Sequence, residues 1–411
     1  MTIVTMNRKG ALVLIGSSPT ATVSLASVKE AIRAAGFEVG LDLVGFAAAE
    51  RNLALEQHLI ELQSAGYLSQ FLPGDPADHT DPERVLPGAR SLIVGAVSYL
   101  VPVEPEPVRD DEDDEQEEQV NELRGRLARF AWVADYHRLL RSRLQALVER
   151  LPQILGDPAQ PVRAAILVDS GRLLDRAAAV AAGLGWIGKN GCLINPTYGS
   201  WLVLGQIVTN LPLPPDKPVP NRCGRCDRCL RACPTRALVR PAVLDAGRCI
   251  SEWTQRHGEV PQELRAGFGD FIYGCDICQD VCPWNRKARP GRWAQEMNGP
   301  VPRDQAFPRL ASLLKRSRRE LDAELKDRAL GWRGSRVLQR NALIALGNSG
   351  NPAAIELLAD ALASNSPLLR SHARDALVCL KRRLPTDVRN YPLWERRINA
   401  LLAADQPEAE E

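Results

Sequence analysis

Cys223-Gly-Arg-Cys226-Asp-Arg-Cys229-Leu-Arg-Ala-Cys233-Pro234 and Cys275-Asp-Ile-Cys278-Gln-Asp-Val-Cys282-Pro283 are the stretches whose reading decides the fold. Three cysteines at successive x2 spacing wrap three corners of a four-iron cubane. The Cys-Pro that follows points away from them, to a second cluster. By that crossover one cluster takes Cys223, Cys226, Cys229 and Cys282, and the other takes Cys233, Cys249, Cys275 and Cys278. Eight of the ten cysteines are consumed. Zinc is the competing reading, but its Cys-x2-Cys pairs are usually set far apart, and three cysteines in a row do not suit a tetrahedral site. Cys192 and Cys379 are left over and read as packed thiols. The cysteines bunch in the middle of the chain instead of spreading as a disulfide framework, which points to metal ligation in a reducing cytoplasm. Two adjacent clusters form a one-electron wire. A wire implies an external electron donor at one end and a redox centre at the other.

Outward from the cysteines, the 411 residues predict several domains. A hydrophobic fraction of 45% and a charged fraction of 25% exclude a disordered or low-complexity chain. No apolar run reaches the length of a membrane helix. Residues 1–22 read as a loose tail; Asn7-Arg8-Lys9 and the short apolar run after it resemble a signal peptide, but Gly10, Gly16 and Pro19 interrupt the pattern. From 23 to 211 strands and helices alternate, so the region reads as α/β. Val28, Ile32 and Ala35 recur at helical spacing, Gly36 ends that helix, and residues 53–67 form a second one. Ser91-Leu-Ile-Val-Gly-Ala-Val97 and Ala164-Ala-Ile-Leu-Val168 read as buried strands. Residues 104–118 hold ten acidic residues against one basic and read as a solvated surface insertion. The two-cluster module follows over 212–290. A basic helical region covers 291–402, and a frayed acidic tail covers 403–411. Leu338–Leu346 and Leu369–Leu377 look alike, in the register of a HEAT-type repeat.

The formal net charge of +2 gives by itself no reason to expect nucleic acid. It is a sum over unlike parts. Residues 283–400 carry 23 basic against 11 acidic residues, the balance of a phosphate-binding surface.

The catalytic candidate is Val168-Asp169-Ser-Gly-Arg-Leu-Leu-Asp175-Arg176. A carboxylate at the end of a buried strand is where open α/β sheets place their sites. Asp169 serves as a general acid if apolar surroundings raise its pKa, and Arg176, two helical turns on, faces the same pocket. The same residues also read as a helix cap beside an ordinary Asp175/Arg176 surface, and nothing local chooses. Gly183-Leu-Gly-Trp-Ile-Gly-Lys-Asn190 follows a helix, so it fails as a dinucleotide motif. It reads as a loop whose backbone approaches a large flat ligand. Asp135-Tyr136-His137 resembles the start of a cobalamin motif, but Leu140 stands where that motif needs glycine. The five histidines read as structural.

Taken together, Val168-Asp-Ser170, Gly183–Asn190, Arg248-Cys-Ile-Ser-Glu-Trp253, Ile272–Arg286 and Arg340–Asn348 resemble the epoxyqueuosine reductases, the cobalamin and iron–sulfur enzymes of transfer-RNA queuosine synthesis. The resemblance implies an α/β cobalamin-binding domain, a ferredoxin-like two-cluster module and an all-α HEAT-like domain that binds the tRNA anticodon stem-loop. It implies base-off cobalamin that receives electrons from two [4Fe-4S] clusters and reduces an epoxide to an alkene. Asp169 matches the family's proton donor and Arg176 its substrate-side arginine. Cobalamin contacts fall at Trp132, Asp169, Leu193, Leu204, Ser251, Cys275 and Asp276. A cytoplasmic monomer is expected. Arg172, Val133 and His79 depart from common family residues, and the acidic insertion and first two dozen residues have no counterpart. Reductive dehalogenation pairs cobalamin with the same module, but its usual twin-arginine signal is missing and the basic tail does not suit it. A non-catalytic electron carrier does not account for the large front domain.

Overall fold

A computed structural model describes residues 3–6, 12–15, 24–106, 123–156, 161–169 and 172–405. Most of the acidic insertion and the last residues of the acidic tail lie outside it. Within the expected N-terminal tail, β1 (Ile3–Met6) pairs antiparallel with β2 (Leu12–Ile15).

The front region is built on four strands in the order β3-β4-β9-β6: β3 (Leu43–Ala48), β4 (Ser91–Ser98), β6 (Ala164–Val168) and β9 (Leu202–Thr209). Every neighbouring pair is antiparallel, a direction that the α/β reading left open. Alternation of elements along a chain does not set strand direction. Here the connections from β3 to β4 and from β6 to β9 reverse the chain, while 99–163 crosses over, so that β6 runs parallel to β4 on the far side of β9. Helices still cover both faces, so β4 is buried along its whole length.

One face packs Phe46, Ile93, Val97, Val203 and Ile207 against α1 (Leu25–Glu38) and α3 (Tyr136–Ile154). The other packs Leu92, Val94, Ala96, Leu204 and Val208 against the short α4 (Asp175–Ala181). The second expected helix is α2 (Leu53–Ser64). Gly36 does not end α1. It lies inside the helix, where a Cβ would stand 2.5 Å from Val44, and Gly40, at φ +96°, makes the turn. Gly45 permits the closest helix-to-sheet approach: a Cβ there would stand 2.2 Å from the Ala182 carbonyl oxygen. Backbone does not yield, so Gly45→Ala lowers stability by about 1–3 kcal/mol or more, read as a lower urea midpoint at unchanged slope.

Short pairs tie the rest to this core. β7 (Trp186–Ile187) pairs with β8 (Leu193–Ile194), and β10 (Leu238–Arg240) with β11 (Val243–Leu244). β5 (Arg126–Leu127) pairs in parallel with β12 (Phe271–Tyr273), stitching the front region to the cysteine module. The C-terminal region is helical. Helices Ser335–Asn348 and Pro367–Lys381, which carry the two similar segments, pack directly on each other; Gly347 faces the Ala376 backbone at a distance no side chain tolerates. Among the described residues no helix is long and apolar enough to cross a membrane.

Candidate active site

Asp169 follows the last residue of β6, at the exposed mouth of the site, with φ +50°. A non-glycine residue pays for that conformation unless its surroundings hold it. Three side chains do. Its backbone N–H donates to Asp175 Oδ2 at 2.8 Å. Its carboxylate accepts from the Tyr136 hydroxyl. His137 Nε2 lies 3.6 Å from the same carboxylate oxygen. Asp175 is fixed in turn by Gln206, which donates to its other oxygen at 2.8 Å from the centre of β9. The residue therefore does not cap a helix; α4 begins at Asp175. Arg176 reaches the pocket because this loop folds back, not because it lies two turns along a helix. It donates to the Gly191 carbonyl at 2.8 Å, and its charge acts on Asp169.

Tyr136 and His137 open α3, capped by Asp135, whose carboxylate also receives His137 Nδ1 at 2.7 Å. The rings of Tyr136 and His137 stack at 4.1 Å. Asp135, His137 and Asp169 thus form a carboxylate–imidazole–carboxylate chain. The electrostatics reverse the condition set for the general acid. Hydrogen bonding by His137 outweighs desolvation and, with Tyr136, holds the Asp169 carboxyl below its usual range. Burial opposes the His137 charge, yet its bonds to Asp169 and Asp135 raise its pKa. Desolvation, then the Asp169 charge, pushes Asp175 up to about 7. Burial raises Tyr136 well above its usual value, so it remains a donor. Besides Tyr136, His137 and Asp175 are the groups moved toward holding a proton, and Asp175 is partly protonated near neutrality. None of these three carried a catalytic role in the sequence reading.

The thiols fall into two electrostatic groups. Cys282 feels Cys223 and Cys226, and Cys229 feels Cys282 and Cys223. Cys275 feels Cys249 and Cys233, and Cys278 feels Cys275 and Cys249. Among the described residues no three Cys, His, Asp or Glu side chains converge on a single metal ion. Burial pushes Cys249 up to about 11 and raises Cys275 further. Backbone N–H groups aim at these sulfurs: those of Ser251 and Glu252 at Cys249, and that of Ala237 at Cys233 at 3.2 Å. Buried thiols with backbone N–H donors aimed at their sulfurs fit ligands of an iron–sulfur core. Cys192 lies beside the second group: the neighbouring Cys278 thiol, its largest influence, and the Arg176 charge lower its pKa. Cys379 lies 3.8 Å from Asn348 Oδ1 in the helical region.

The residues expected around cobalamin separate. Leu193 and Leu204 share one apolar cluster beneath α4. Trp132 lies in the opposite core, its indole N–H donating to the Leu127 carbonyl at 2.8 Å. The Ser251 carbonyl accepts from Thr254 and Gln255. Asp276 is buried and accepts the Arg129 backbone N–H at 2.8 Å; desolvation, the largest influence, pushes it up to about 6. His79 bridges the Arg172 and Pro73 carbonyls and braces the segment behind Asp169. The glycines at 183 and 185 serve packing first, for a Cβ on Gly185 would meet the Ile194 carbonyl at 2.2 Å. Yet Asn190 Nδ2 and Gln206 Oε1 are buried without partners. One donor and one acceptor left open beside the Asp169 loop fit a ligand with peripheral amides, as a corrin has.

Residues 79–170 match the family described as epoxyqueuosine reductase QueG, DUF1730, and residues 222–285 match the 4Fe-4S double cluster binding domain. An epoxyqueuosine reductase of Bacillus cereus is 38% identical over 351 residues, covering 85% of this chain and 88% of its own. A crystal structure of epoxyqueuosine reductase with an epoxyqueuosine-modified tRNA-Tyr stem loop superposes with a TM-score of 0.77 at 32% identity, over 92% of this chain and 100% of the other. The Bacillus subtilis enzyme, with its catalytic aspartate loop swung out of the active site, superposes with a TM-score of 0.76 at 31% identity, over 92% and 99%.

Proposed function

Because the chain belongs to the epoxyqueuosine reductase family, we propose that it reduces epoxyqueuosine to queuosine in the anticodon stem-loop of tRNA. The reaction consumes two electrons and two protons and releases the epoxide oxygen as water. Cobalamin, when bound, supplies the reducing power at carbon, replenished by single electrons from two [4Fe-4S] clusters. The protein supplies orientation and protons. Asp169 delivers a proton to the epoxide oxygen, which leaves far more easily as a neutral hydroxyl. His137 returns the proton to Asp169, and Tyr136 holds the carboxylate in line. Arg176 faces the substrate. Cys223, Cys226, Cys229 and Cys282 hold one cluster, and Cys233, Cys249, Cys275 and Cys278 hold the other. Leu193, Leu204, Ser251 and the Cys275-Asp276 backbone border the corrin. Trp132 acts behind them through packing, since its N–H is already engaged. The HEAT-like helical region and its basic surface take the stem-loop.

The observation that carries this reading is Asp169, held in a left-handed backbone conformation between an imidazole and a second carboxyl group. Protein reconstituted with iron, sulfide and cobalamin and given a strong reductant converts epoxyqueuosine in a stem-loop to queuosine. Failure of the reconstituted protein to do so overturns the assignment. Cys275→Ala and Cys229→Ala each lower bound iron by about half, measured by iron analysis, because each opens a different cluster. Loss of the same paramagnetic signal from both variants rejects the two ligand sets.

A further inference from the structure

The cations of this protein are unevenly satisfied. In the helical region many are ion-paired, as in Arg303–Glu106, Arg316–Glu324 and Arg397–Glu356. Around the first thiol group they are not. Arg222, Arg225, Arg228, Arg286, Lys287 and Arg289 are all exposed. None has a side-chain hydrogen bond or ion pair among the described residues. Only Arg231 nearby finds a carboxylate, Asp227 at 3.0 Å.

Two segments distant in sequence make this patch. Cys282 and Trp186 form one apolar cluster with Cys223 and Trp284, and the two tryptophan rings meet edge to face at 4.9 Å. The cations of 222–228 and of 286–289 therefore surround the same group of thiols. The second thiol group lies on the side of the Asp169 pocket: Cys275 lies just after Tyr273, whose ring packs on Phe130 at 5.9 Å, and Phe130 in turn meets Tyr136, the donor to Asp169. Electrons bound for the Asp169 pocket pass the second group last and enter at the first.

We infer that the collar of unpaired cations around Cys223, Cys226, Cys229 and Cys282 is the docking surface for the electron donor, and that the donor is an acidic one-electron carrier protein. This rests on the reading of those cysteines as cluster ligands. Transient redox complexes are small, and opposite charge gives them speed more than affinity. A free cation field around an exposed cluster suits that use. In each encounter one electron passes; the carrier is oxidised, the cluster is reduced, and no bond or proton moves.

The test is the rate at which fully reduced flavodoxin, an acidic carrier, bleaches the clusters of the whole reconstituted protein in a stopped-flow experiment. Photoreduced 5-deazaflavin, small and uncharged, serves as the second reductant. The flavodoxin rate constant falls about tenfold or more from low to high salt. Arg225→Glu with Arg228→Glu lowers it about tenfold at low salt, and so does Arg286→Glu with Lys287→Glu, which leaves the Cys-x2-Cys spacing untouched. Reduction by deazaflavin stays as in the parent protein. A parent rate indifferent to salt overturns the proposal, as does an unchanged flavodoxin rate in both variants. Loss of stem-loop affinity with the flavodoxin rate intact also overturns it and assigns the cations to phosphate. No bleaching by deazaflavin in the parent protein removes the cluster reading and the docking surface with it.

Discussion

Asp169→Asn turns over epoxyqueuosine about 10²–10⁴-fold more slowly than the parent protein, the usual worth of a positioned general acid. The amide keeps the shape and can still face Tyr136, but it cannot hand over a proton and take one back. Single-turnover rates measured with substrate bound check this, and a normal rate rejects Asp169 as the donor. The pH profile separates Asp169 from its supplier. Asp169 is ionised at neutral pH, so each turnover draws on His137, whose pKa lies above its ordinary 6.5. As pH rises through that raised value the imidazolium is lost and kcat falls. His137→Gln lowers kcat and removes this alkaline limb. The same pair contributes to stability in opposite senses. The His137 contribution is complete below its unfolded pKa and disappears as pH rises through the folded one. That of Asp169 is present above its unfolded pKa and disappears as pH falls through its lowered folded value.

Arg340→Met destabilises the protein by about 3–5 kcal/mol. Arg340 is fully buried, and burial lowers its guanidinium to about 10, still protonated at neutral pH. Among the described residues it forms no ion pair with a carboxylate. It donates to the carbonyls of Arg256 at 2.6 Å, Gly258 at 2.7 Å and Trp253 at 2.8 Å. Asn341 beside it donates to Thr254 and Ile272. Methionine fills the space of the stem but leaves the buried Asn341 Oδ1 without its donor and removes three charge-assisted hydrogen bonds to part-buried carbonyls. The loop they belong to follows the short helix Ile250–Trp253 that begins beside Cys249. Urea unfolding followed by helical signal and by cluster absorption moves together to a lower midpoint. If cluster loss stays where it was, the helical region does not support the cysteine module.

What the sequence discloses depends on how local the physics is. The cysteine groups were readable because cluster ligation works through spacings of three and four residues. Strand β4 was readable because a fully buried strand needs a continuous apolar run, whereas β6, read as equally buried, lies at the sheet edge with only Val168 fully covered. Their direction was not, since it depends on connections of forty residues or more. Asp135-Tyr136-His137 drew attention as a cobalt-ligand motif and fell away at Leu140. The same residues matter as a proton chain, which becomes visible only when α3 sets its N-terminus against the end of β6. Asp175 read as surface beside Arg176, and its partner is a backbone N–H in a conformation no propensity predicts. Gly36 ended a helix on paper because a glycine inside a helix costs stability; the space taken by Val44 outweighs that cost.

The pairing of β5 with β12 also bears on how the protein is made. Arg126 must wait for Phe271, and Leu127 for Tyr273. A chain still on the ribosome therefore has all four strands of its main sheet, the last ending at Thr209, before the segment leading into Asp135 and His137 can settle. That segment settles only once the stretch carrying Cys275 has emerged. The proton chain and the second cluster are thus completed in the same late interval of synthesis, and a nascent chain stalled before residue 271 carries Asp169, Tyr136 and His137 but lacks the strand that β5 pairs with.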